Sequence, residues 1–169
     1  MRKLSWLVVL SLGCGGLKVR PPGDSLLLGT AMRTINPQPG VPLVGYPSGR
    51  PNTGVALDLC ARAAVFGTPG KAEPEAALIV LDLIHVDLQL GRAIRERVSA
   101  ALPGLAPSSI MVSGTHTHSG PGKLDEAAIA NVVEAAAAAW KDREEVNARV
   151  GHARARWGQR VGREGETEG

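Results

Sequence analysis

Two histidines two residues apart, His116 and His118, stand between the apolar run Ile110-Met111-Val112 and the turn Ser119-Gly120-Pro121-Gly122. An extended chain sends alternate side chains to one side, so the spacing predicts both imidazoles on the same side of a strand's end. Two neutral imidazoles held this way suit a borderline cation such as zinc; alternatively, one binds metal while the other handles protons. A second group of ionisable residues, Asp82 with His85 and Asp87, follows the apolar run Leu78–Leu81. If the two runs are neighbouring strands, Asp82 would orient a histidine or add a ligand, because ligands in α/β sheets bind beyond the carboxyl ends of strands. Taken alone, Asp82 equally suits capping the helix that follows. His85 is expected to face solvent or make a local hydrogen bond, and Asp87 to be a first-turn acid favoured by the helix macrodipole.

The elements that must position these residues alternate in type. Leu26 to Thr34 is expected as a first strand. Asn36 to Pro42 and Gly45 to Gly54 are too rich in proline and turn residues for a helix, and predict one long extended loop. An ordered loop of that length in a compact domain is usually functional or lies over something. Val55 to Phe66 reads as a second strand. Ala76 to Leu83 is nearly continuous apolar sequence, predicting a strand buried on both faces. His85 to Leu102 predicts a helix, with Val86, Leu90, Ile94 and Val98 at four-residue spacing and Arg92, Arg95, Glu96 and Arg97 on the solvated side. Pro103-Gly104 ends it. Ile110 to Ser113 is a further strand, and Leu124 to Glu145 a second helix with an Ala-rich centre at Ala135 to Ala139. This order predicts an α/β fold, a layered sheet with flanking helices.

A chain of 169 residues fits one domain with a real core, and 44% hydrophobic against 21% charged residues is ordinary for a globular protein. The formal charge of +3 comes from scattered residues, and aromatics make up only 3%. Nucleic-acid binding is not expected from this pattern. Met1-Arg2-Lys3 followed by the apolar Leu4 to Leu12 has the layout of a secretory signal and is too short for a bilayer span. The ending Leu10-Ser11-Leu12-Gly13-Cys14 resembles the lipobox of bacterial lipoproteins, in which Cys14 becomes the lipidated first residue. Residues 1–13 are therefore expected as signal peptide and 14–25 as a tether. Residues 26–157 would form the domain, and 158–169 a disordered tail of Arg, Gly and Glu. Loss of 1–13 leaves 17 basic residues against 16 acidic ones. With Cys14 lipidated, no intrachain disulfide forms, and Cys60 is expected as a small buried hydrophobe.

The flanks of the histidine pair narrow the chemistry. A metallo-β-lactamase-like site, His-x-His-x-Asp-His, is excluded because Gly120 and Pro121 stand where the acid and third imidazole belong. Gly114-Thr115-His116-Thr117-His118-Ser119-Gly120-Pro121-Gly122 instead closely resembles the signature near the N-terminus of neutral/alkaline (non-lysosomal) ceramidases. Gly45-Tyr46 in a loop, Gly54 before a strand, Arg62-Ala63 within it and a strand ending in Asp82 follow in the same order, so the resemblance covers about residues 26–145. It implies the N-terminal portion of a zinc hydrolase that cleaves the amide of ceramide, giving sphingosine and a fatty acid. It further implies His116 as a metal ligand, His118 as the catalytic imidazole beside the amide, and Asp82, Gly45, Tyr46 and Arg62 as substrate-binding or supporting residues. The chain departs from that family at Lys123-Leu124, where a glycine and an aromatic are usual. Family members also take another histidine, a glutamate and a tyrosine for zinc from segments far downstream. Tyr46 is the sole tyrosine here, and His152 carries no ligand role.

Three expectations follow. The chain is an inactive fragment of a ceramidase-like hydrolase, from a truncated or frameshifted reading frame. Alternatively, it is a complete envelope lipoprotein that uses the scaffold as a non-catalytic binding module. In a third reading it is a small self-sufficient metallohydrolase using His116, His118 and Asp82. A ceramide-like lipid and, through the N-terminal lipid, a membrane are the expected partners. The location is the bacterial envelope, lipid-anchored or else periplasmic or secreted.

Overall fold

Cys60-Ala61-Arg62-Ala63-Ala64-Val65-Phe66-Gly67 alternates small or apolar residues with ones that tolerate water, and it folds as a strand with Ala61, Ala63, Val65 and Gly67 buried. The computed structural model describes residues 25–45 and 50–148. The expectations placed on residues 1–24, including Cys14, and those on Tyr46, His152 and the tail, lie outside the described residues. Five strands form one sheet: β1 (Leu26–Thr34), β2 (Cys60–Gly67), β3 (Ala76–Leu81), β4 (Ile110–Gly114) and β5 (Glu144–Val146), in the order β4-β3-β2-β1-β5. Strand β2 pairs antiparallel with β1 and β3, and β1 with β5, whereas β3 and β4 run parallel. A parallel neighbour requires a crossover, and helix α1 (Leu88–Ala101) supplies it. Helix α2 (Glu126–Lys141) then crosses back over β1 and β2 and delivers the chain to β5 at the far edge.

Both helices lie on one face. Ala61, Val65, Ile79 and Leu81 from the strands share one buried cluster with Ile94 and Val98 of α1 and with Val132 and Ala136 of α2. Each fully buried branched side chain there contributes about 2 kcal/mol. The Ala-rich centre of α2 lets it settle close to the sheet. A Cβ placed on Gly29 would fall 1.6 Å from the carbonyl oxygen of Ala139, so β1 accepts no side chain at that crossing. The opposite face is uncovered among the described residues, with Met32 55% and Met111 63% exposed.

The α/β expectation holds, and β1 has the expected limits. Four local expectations change. Strand β2 starts at Cys60, not Val55, because the Asn36 side chain accepts the Leu59 N–H and donates to the Asp58 carboxylate, holding the preceding residues as a loop. Strand β3 is buried on one face only: Ala77, Ile79 and Leu81 point to the helices, while Leu78 and Val80 point away. Helix α1 begins at Leu88, after a turn through His85, with Asp87 as its N-cap accepting the Leu90 N–H at 2.7 Å. Helix α2 stops at Lys141, and β5 follows within the stretch expected to be its last turn. No helix among the described residues is long and apolar enough to cross a membrane.

Candidate functional site

Strand β4 ends at Gly114, so the period of two does not reach the histidines. The chain nevertheless continues along the extension of β3. Thr115 N–H donates to the Leu81 carbonyl and His116 N–H to the Leu83 carbonyl, both at 2.9 Å. His116 then adopts φ +67°, the one left-handed non-glycine residue among those described. That conformation disfavours an L side chain by about 1 kcal/mol. The reversal, not strand alternation, brings the two imidazoles together: their ring centroids are 5.2 Å apart, edge to face.

Each ring is oriented by a backbone carbonyl. His116 Nδ1 lies 2.9 Å from the Ile84 carbonyl oxygen, and His118 Nδ1 lies 3.0 Å from that of Gly45. A carbonyl oxygen only accepts, so in the neutral form Nδ1 carries the proton and Nε2 the lone pair. Orientation of this kind is what metal-ligating and proton-transferring imidazoles require. Both residues are exposed.

The long loop lies over this pair. Its two arms are joined by the bridge between Pro42 and Pro51 and by the Leu43 N–H donating to the Arg50 carbonyl at 2.7 Å. It is fixed to the histidine segment by the bridge between Leu43 and Pro121 and by the Val44 N–H on the Gly120 carbonyl. Asn52 holds it from inside: buried, it donates to the carbonyls of Pro37 and Gln38 and accepts the Gly54 N–H at 2.9 Å. Neither Asn52 nor Asn36 is marked by any spacing in the sequence. An asparagine amid prolines, where few main-chain donors remain, is the signal that marks such a loop organiser.

Asp82 does something different. Its carboxylate accepts the Cys60 N–H at 2.9 Å and a 2.8 Å hydrogen bond from the Arg62 guanidinium, clasping the ends of β2 and β3. Hydrogen bonding to Asp82 holds the Arg62 guanidinium above its usual range. The ring-orienting role weighed for Asp82 belongs, at the Nδ1 atoms, to the Ile84 and Gly45 carbonyls. Nor does Asp82 cap α1, a task that falls to Asp87. His85 is exposed, and Cys60 is buried with a free thiol.

Arg62 and Asp82 line a cleft of about 580 Å³. Thr117 and Ser119 of the histidine segment line it too, as do Val55 and Leu57, the latter 86% exposed, whereas the two histidines themselves do not. At the carboxyl ends of β3 and β4, oriented imidazoles thus adjoin a cleft that has a charged clasp and apolar lining. Among the described residues, no group of three or more His, Cys, Asp or Glu side chains is placed to hold a metal ion.

No family model and no curated protein matches the sequence. Solved structures do. A ceramidase complexed with C2 superposes with a TM-score of 0.57 at 21% identity, over 69% of this chain and 20% of that one. Neutral ceramidase from Pseudomonas aeruginosa gives a TM-score of 0.54 at 21% identity, over 70% of this chain and 21% of that one. This chain therefore spans about a fifth of the length of the solved proteins it is similar to. Its mixed five-stranded sheet with flanking helices has the fold of a region of the neutral ceramidases.

Proposed function

We propose that this chain provides part of a zinc-dependent amide hydrolase of the neutral ceramidase type, which cleaves N-acylsphingosine to sphingosine and a fatty acid. One observation carries the reading. Two imidazoles 5.2 Å apart, each with Nδ1 on a backbone carbonyl, stand at the end of β4 on a ceramidase-like fold.

The donor set fits zinc in part. A catalytic zinc takes three protein ligands and keeps one position open. His116, with its lone pair on Nε2, would be one such ligand, and the others would come from outside the described residues. When bound, zinc supplies a Lewis acid and lowers the pKa of its water towards neutrality. His118 would lie beside the amide. Its Nε2 lone pair takes the proton that the attacking water loses, and the resulting imidazolium returns it to the departing amide nitrogen. Thr117, Ser119 and the Arg62–Asp82 clasp offer hydrogen bonds to a polar head, while Val55 and Leu57 offer apolar surface to a lipid chain. Lipidation at Cys14, the expectation carried by the N-terminal segment, would hold this site at a membrane surface.

The test is a chimera in which residues 25–148 replace the structurally matched fifth of Pseudomonas aeruginosa neutral ceramidase. Hydrolysis of a fluorescent ceramide, lost on His116→Ala, is the expected result. A folded, zinc-loaded chimera without hydrolysis would overturn the proposal. A second reading is a binding module without catalysis, which would use the exposed apolar lining of the cleft at Val55 and Leu57. That reading predicts ceramide binding by the full chain beside an inactive chimera.

A further inference from the structure

We infer that Gly45 is a positioning residue: its loop selects the tautomer of His118, and only glycine can do so at this point. The inference rests on the hydrolase reading for its use in catalysis, but not for its physical content. Gly45 has φ +101°, and a Cβ built on it would lie 2.6 Å from Cγ of His118 and 2.8 Å from both its Cβ and Nδ1. The His118 side chain stands in the space a side chain on Gly45 would fill. That contact lets the Gly45 carbonyl reach Nδ1 at 3.0 Å.

The approach is held from both sides. Immediately before Gly45, Val44 N–H donates to the Gly120 carbonyl at 3.0 Å, and Leu43 bridges to Pro121. The loop is therefore tied to the same segment whose ring it orients, and it cannot withdraw without breaking main-chain pairing. A neutral histidine side chain free in water favours the proton on Nε2. At His118 the carbonyl reverses that preference and leaves the lone pair on Nε2, the form that accepts a proton from water. His116 reaches the same tautomer through the Ile84 carbonyl, an acceptor on another part of the chain. The two rings thus share a protonation pattern through acceptors on different parts of the chain.

The experiment uses the full chain, metal-free, labelled with nitrogen-15 at histidine and held at about pH 8, above the ordinary range of histidine side chains. Long-range proton–nitrogen correlation then reads which nitrogen carries each proton. Wild type should show Nδ1–H at both His116 and His118. Gly45→Ala should exchange the two nitrogen signals of His118 and leave those of His116 unchanged. Gly40→Ala is the control: Gly40 is in the same loop at φ +87°, yet its Cβ would meet nothing within 4 Å. It should carry the same backbone strain and move neither ring. An Nε2–H pattern at His118 in wild type would overturn the inference. So would retention of Nδ1–H in Gly45→Ala, or an equal change in Gly40→Ala. An inactive chimera would remove the hydrolase reading while leaving these spectra to decide the role of Gly45.

Discussion

Strands β3 and β4 are parallel neighbours, and both end in ionisable residues, yet the two ends do different work. At the end of β3, Asp82 is 15% exposed, and its carboxylate is engaged by a main-chain N–H and by Arg62. At the end of β4, His116 and His118 each commit Nδ1 to a carbonyl, which fixes the ring and leaves Nε2 as the lone-pair nitrogen. A polar residue closing a strand is thus structural when its hydrogen-bonding capacity is used in holding the sheet. At the histidines the partners orient a ring instead, which is what the proposed chemistry requires. The difference is visible in the partners and not in the residue type.

The sharpest way to break this comparison is through activity. In the chimera, His118→Ala should lower ceramide hydrolysis by about 100-fold or more, the usual contribution of a positioned acid–base group. Stability should hardly change, by about 0.5 kcal/mol or less, as for other exposed substitutions. Asp82→Ala should show the reverse in the full chain. It leaves the Cys60 N–H and Arg62 without their acceptor and should lower unfolding free energy by about 2 kcal/mol in denaturant titration. Equal stability losses at Asp82 and His118 would erase the distinction.

A smaller effect sharpens it. His116 sits in a left-handed conformation, so His116→Gly should be more stable than His116→Ala by about 1 kcal/mol, with both unable to bind metal through that position. If the alanine variant is as stable as the glycine one, the strain assigned to the site is not there. The smallest effect lies far from either strand end. Hydrogen bonding from Arg97 lowers the Glu126 carboxyl below its usual range, as Lys71 and Thr68 lower Glu75. A depressed folded-state value stabilises above the unfolded-state one and is lost as pH falls through it. Glu126→Gln should therefore lower stability slightly at neutral pH, where the charged partner of Arg97 is lost, and flatten the further loss on acidification below about pH 4.

Much of the scaffold was legible in the sequence because its signals are local. The apolar repeat Ile94 and Val98 gave a helix face, and the limits of β1 came from its flanking turns. What was not legible depends on partners distant in sequence. Strand β5, Glu144-Glu145-Val146, has no apolar alternation; it exists because Leu26–Leu28 offers an open edge, and its glutamates suit an edge exposed to water. The continuous apolar run of β3 looks buried on both faces, but only pairing shows that one face carries both helices. The histidine pair was found for an incomplete reason. Its spacing pointed to one side of a strand, whereas Gly114 ends β4 and the left-handed turn at His116 gathers the rings. The loop that orients His118 was expected to lie over something, but its anchor Asn52 has no sequence periodicity to reveal it.

The central claim is that His116 is a metal ligand, and zinc titration of the metal-free chimera by calorimetry, with His116→Ala beside it, tests this most directly. The account predicts zinc binding that His116→Ala weakens at least about tenfold, or about 1.4 kcal/mol. Binding of equal strength in the variant, or no zinc binding by the folded wild-type chimera, would contradict it.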